Sequence, residues 1–124
     1  MTEIIHMGFK VVFQRKDGKL VSYNENNLKS NDCVRYVPNE WTIPKKGCGP
    51  LVLFENEDDA RGLKDGSIFR FALKLFEFKY IPSKEDKVWY AEKDTIGEAS
   101  LERIQAVARG SVLAKKIKIL EEVK

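Results

Sequence analysis

The stretch that leaves this chain the least freedom is Trp41 to Phe54, WTIPKKGCGPLVLF. Pro44 and Pro50 offer no backbone donor and clash with a preceding helical turn, and Gly47 and Gly49 are the residues least suited to a helix interior. Glu40 to Pro50 is therefore excluded from a helix and expected in turns or on a sheet edge, where a missing N–H is tolerated. Leu51 to Phe54 then follows as a short, wholly apolar run, the mark of a strand covered on both faces. A buried strand needs neighbours, and the rest of the chain must supply them.

Upstream, Phe9 to Gln14 is β-branched and aromatic, Asp17-Gly18 supplies the positive φ of a tight turn, and Lys19 to Tyr23 reads as a return strand. Residues 9–23 are expected as a β-hairpin. Glu25 to Asp32 is a polar, Asn-rich loop, and Val34 to Val37 is a short strand closed by Pro38. Downstream, Asn56 is a helix N-cap, Asp58 and Asp59 complement the helix dipole, Ala60 and Leu63 form a narrow apolar stripe, and Gly66 is a stop.

Phe69 to Tyr80 presents a conflict. Its apolar phase runs through Phe69, Phe71, Leu73 and Leu75, then changes to Phe76, Phe78 and Tyr80, and one face of a period-2 strand cannot hold both sets. Either a bulge near Leu75 or a helical end up to about Ala72 resolves it, and the second is preferred. Val88 to Ala91 is another strand, with Trp89 and Tyr90 on opposite faces. Thr95 and Glu98 have the spacing of a capping box, which predicts a helix over residues 96–108 ended by Gly110. Ser111 to Leu120 fits either state; Ile117 and Ile119 on each side of Lys118 favour a strand with Lys116 and Lys118 outward.

These elements assemble as a single α+β domain over residues 8–124, with a flexible extension at 1–7. The expected architecture is a twisted, mainly antiparallel sheet of about five or six strands, with one or two helices on one face. A chain of 124 residues can bury enough surface to fold without a metal or disulfide. Twenty-two basic and 19 acidic residues leave a net charge of +3, too balanced to identify a nucleic-acid binder by charge alone. The first residues lack the basic and long apolar regions of a signal peptide, and no apolar run reaches the length of about 18 residues that would span a membrane. A cytoplasmic protein with reduced thiols is expected.

The residues that could carry chemistry are few. His6 is the only histidine, and Cys33 and Cys48 are far from C-x-x-C spacing, so neither a metal nor another cofactor is implied. Cys48 lies beside Lys45 and Lys46, which would lower a thiol pKa, but it lacks a histidine base. Gly47-Cys48-Gly49 has no phosphate-loop spacing. The acidic pairs Asp58-Asp59, Glu85-Asp86 and Glu121-Glu122 read as solvated groups. Arg35, Tyr36, Trp41, Lys45 and Lys46 together have the aromatic-plus-basic composition that stacks bases and holds phosphates. The alternative is that Trp41 caps the sheet core and the lysines are only solvated.

Tyr36, Trp41, Thr42, Pro44, Gly47, Gly49, Pro50, Leu51 and Phe54 form a pattern, Y-x4-W-T-x-P-x-x-G-x-G-P-L-x-x-F. Glu55, Asn56 and Ala60 follow, then Phe76-Glu77-Phe78, then Gly110, Ser111, Ala114, Ile117 and Ile119. In this order the chain resembles a family of small uncharacterised proteins from phages, archaeal viruses and prokaryotes, over roughly residues 8–122. The resemblance implies a shared fold and no assigned activity. A looser similarity, carried by Gly49 to Phe54, Asp59-Ala60, Arg15 and Ser22, is to ADP-ribosyltransferase-like folds, without a recognisable catalytic glutamate context.

Three classes of function stand open. The first is a non-enzymatic interaction or accessory protein with a protein partner, acting through the loop-rich face of residues 35–50 and able to self-associate through edge strands. The second is an ADP-ribosyltransferase-like or nucleotide-handling enzyme, which needs a concave pocket with converging polar groups. The third is a weak nucleic-acid binder, which needs Arg35, Lys45 and Lys46, with Lys115, Lys116 and Lys118, on one surface.

Overall fold

The structure, a computed structural model, describes residues 3–22, 35–44, 50–68, 70–85, 87–92, 95–100 and 110–124; for Ser22, 87–92 and 95–100 the backbone alone is described. The Asn-rich loop, Cys33, Lys45, Lys46 and Cys48 lie outside the described residues, as does the 101–108 part of the expected second helix.

Turn chemistry builds the first hairpin. β1 (His6–Gln14) and β2 (Leu20–Ser22) pair antiparallel from Val12 opposite Ser22 to Gln14 opposite Leu20. Gly18 takes a φ of 88°, its N–H donates to the Arg15 carbonyl, and the Asp17 carboxylate accepts from the Lys19 N–H. The strand begins at His6, inside the segment expected as an extension. β3 (Arg35–Tyr36) pairs with β2 and leads into β4 (Trp41–Thr42). Pro38, Asn39 at φ 66° and the Glu40 N–H donating to the Val37 carbonyl give this link the features of a type II turn.

The sheet closes because one long strand bonds on both edges. β6 (Leu73–Pro82) pairs with β1 from Phe13 opposite Leu73 to His6 opposite Tyr80, and its other edge pairs with β9 (Ser111–Glu122). β9 pairs with β5 (Leu51–Phe54), and β5 returns to β1 at Phe9 opposite Phe54. β1, β6, β9 and β5 thus form a small barrel; β2 and β3 extend the edge of β1, and β4 adds to β9 beyond β5. The sheet is mainly antiparallel as expected, but in place of a twisted sheet of about five or six strands it has seven strands and curls shut. Gly8 sits at the seam. A Cβ there would stand 2.8 Å from Leu53 Cδ1 and 2.9 Å from the Phe54 carbonyl oxygen, so only glycine lets the two strands meet.

The phase conflict in Phe69 to Tyr80 is resolved in two steps. Arg70–Ala72 is a turn of 3-10 helix, and the strand starts at Leu73, as preferred. Within the strand both faces are buried, each over one half. Leu73 and Leu75 pack on the outer face with Val11, Phe54 and Ala60, while Phe78 and Tyr80 point into the barrel with Val12, Leu53, Ala114, Ile117 and Ile119. Irregular register on β9, between Phe76 and Phe78 and again between Ile81 and Pro82, lets that neighbour follow.

The outer cluster is covered by α1 (Glu57–Asp65). The Asn56 side chain accepts from the Asp59 N–H at 3.1 Å, and Glu57, Asp58 and Asp59 occupy the first turn. Only Ala60 of this helix is buried. Leu63, expected in the same stripe, is exposed, because three residues on it is turned roughly 60° around the helix from Ala60.

The helix predicted from Thr95 and Glu98 is corrected over its described part. β7 (Lys87–Glu92) and β8 (Thr95–Ser100) form an antiparallel pair, from Lys87 opposite Ser100 to Glu92 opposite Thr95. Gly97 stands inside the would-be first turn, where it disfavours a helix by about 1 kcal/mol relative to alanine, and cross-strand pairing opposite Val88 to Ala91 prevails.

Candidate functional site

Residues directly opposite each other in an antiparallel pair project from the same face. Met7 stands opposite Lys79, Lys79 opposite Lys118, and Lys118 opposite Trp41. Four strands, β1, β6, β9 and β4, therefore contribute one residue each to a single row. Lys79 shares the outer face of β6 with Leu75, so the row lies outside the barrel. At a strand spacing of about 4.8 Å, the row spans roughly 14 Å.

The row is electropositive around one ring. Lys118 Nζ lies 5.8 Å from the centre of the Trp41 ring system, and Lys116 Nζ, two residues earlier on the same strand, lies 4.9 Å from it. Both are within cation–π range. Trp41 is half-buried on its short edge strand, neither sealed in the core nor fully in water. Among the described residues, Lys79, Lys116 and Lys118 form no ion pair. Lys79 and Lys118 are like charges directly across a ladder, an arrangement that opposes folding. The neighbouring Lys115 is spoken for: it binds the Glu3 carboxylate and, with Lys116 and Lys84 also acting on it, holds that carboxyl below its usual range.

One flank of the row is acidic. Glu77 and Glu121, with Pro38, Asn39, Ile119 and Leu120, line an open depression of about 330 Å³. Glu77 precedes Lys79 by two residues on the same face of β6.

The other sequence candidates are dispersed. Tyr36 is in the barrel interior, 2% exposed, its ring edge-on to Phe78 at 5.4 Å between centres. Arg35 is exposed on β3, which is joined to β4 by the turn at Pro38-Asn39 but is not hydrogen-bonded to it. Lys45 and Lys46 are outside the described residues. Arg15 follows the far end of β1, roughly 26 Å along the strand from Met7, and the Ser22 backbone pairs with Val12. Neither converges on Trp41. His6 packs its ring 5.4 Å from that of Tyr80, and no group of three or more His, Cys, Asp or Glu is gathered for a metal among the described residues. No helix among the described residues is long and apolar enough to cross a membrane.

Lys116 and Lys118 were readable as outward from the K-I-K-I alternation of β9. Lys79 was not, since only the register between β6 and β9 brings it to them. No family model, no curated protein and no solved structure matches the chain.

Proposed function

We propose that this chain is a non-enzymatic binding module that takes an anionic partner on the face formed by Trp41, Lys79, Lys116 and Lys118. One observation carries the reading: Lys116 and Lys118 stand over a half-buried indole, Lys79 adds a third cation directly across the ladder from Lys118, and none of the three forms an ion pair among the described residues. A bound anion neutralises the repulsion and converts it into affinity.

The test is binding of a labelled polyanion to the wild-type chain and to a Lys116→Gln/Lys118→Gln variant, at low and raised salt. Two lost partly screened contacts at up to about 1 kcal/mol each predict roughly a tenfold weaker complex, and added salt weakens the wild-type complex more than the variant's. Equal affinities for both chains would refute the assignment of this face.

A further inference from the structure

Resting on that reading, we infer that the anion taken on this face is single-stranded nucleic acid. Charge alone would suit any polyanion; the ring narrows the choice. An indole ringed by ammonium groups offers a stacking platform and phosphate contacts in the same patch, the combination that holds unpaired nucleotides. Lys116 and Lys118 stand over Trp41 in the free protein. A base arriving on the ring replaces an ammonium there, and the displaced ammonium turns to the phosphate of the same nucleotide. The exchange loses no charge pairing. A duplex keeps its base faces inside the stack, and an acidic polypeptide has no flat ring to offer, so neither uses Trp41 in this way.

The spacing suits a short track. Lys116 and Lys118 are two residues apart on one strand, roughly 6.7 Å, and Lys79 stands about 5 Å across the ladder from Lys118. Three ammonium groups within that area can hold the successive phosphates of an extended backbone. Glu77 and Glu121 close the track on one side. Because β4 is a two-residue strand on the sheet edge, the indole can be approached from outside without opening the barrel.

The experiment measures fluorescence anisotropy of a labelled oligothymidylate on the full chain, against a hairpin duplex of the same charge and an oligoglutamate of the same charge. A labelled ligand is required because Trp89 would confuse intrinsic emission. The oligothymidylate is expected to bind tightest, with a log–log salt slope near −2 for about three phosphate contacts. Trp41→Ala is expected to weaken it by about tenfold to a hundredfold, and Trp41→Phe to recover much of the loss. Thermal melts of both variants separate lost stacking from lost fold. If all three polyanions bind alike and weaken only with Lys116→Gln/Lys118→Gln, the nucleic-acid inference is overturned and the anion-binding module stands. If no polyanion binds, or the lysine variant binds as well as wild type, both are overturned.

Discussion

Lys10 is the residue whose replacement tests the barrel interior most directly. It lies on β1 between Gly8 and Val12, opposite Phe76 of β6, and its ammonium donates to the Val52 carbonyl of β5. Burial pushes its pKa down from the ordinary 10.5 to about 8. At 1.36 kcal/mol for each pH unit, this amounts to about 3 kcal/mol lost to holding the charge inside at neutral pH. The sign follows from proton counting. Between about pH 8 and pH 10.5 the unfolded chain holds a proton at Lys10 that the folded chain has released, so stability rises with pH across this window and is flat below it. Lys10→Met keeps the length and apolar reach of the side chain and removes the charge, while leaving the Val52 carbonyl without that donor, a loss of about 1 kcal/mol. The variant is therefore expected to be about 2 kcal/mol more stable than wild type at pH 7, and the advantage should disappear by about pH 10. Urea unfolding of both chains followed by far-UV circular dichroism measures the difference, and other titrating groups cancel in it. A difference that stays constant from pH 7 to pH 10 would mean that the Lys10 ammonium reaches water and that the interior packing described here is wrong.

Two further substitutions probe the frame around the site. Gly8→Ala places a methyl against Leu53 and the Phe54 carbonyl at the seam and is expected to cost about 1–3 kcal/mol in urea unfolding; slower unfolding or unchanged stability would argue against closure there. Asn56→Ala removes the cap on the Asp59 N–H and is expected to cost about 1 kcal/mol, with loss of protection from hydrogen exchange confined to the first turn of α1.

Local chemistry was legible and non-local pairing was not. Asp17-Gly18 announces its hairpin, Asn56 its helix and Leu51 to Phe54 its strand, because each depends on neighbours within a few residues. Thr95 and Glu98 mislead for the same local reason: the spacing of a capping box ignores Gly97 and the strand waiting opposite. Closure of the barrel depends on β6 bonding to segments on both sides of it in the chain, and no local pattern encodes which edges meet. The site divides in the same way. Trp41, Lys116 and Lys118 stand out in the sequence, whereas Lys79 joins them only through register.

The site begins where the outer face of β6 changes from apolar to charged. The outer face of β1 and β6 is apolar at Val11, Phe13, Leu73 and Leu75, and α1 covers it there. With Asn56 capping one end and Gly66 the other, α1 has nine residues and is roughly 13 Å long, whereas the ten residues of β6 extend for roughly 33 Å. Beyond Leu75 the outward residues of β6 are Glu77 and Lys79, both half-buried, and then Ile81, which is 7% exposed, while Phe78 and Tyr80 point to the barrel interior. The change of phase that made Phe69 to Tyr80 hard to read is thus the boundary between an apolar and a charged stretch of the outer face.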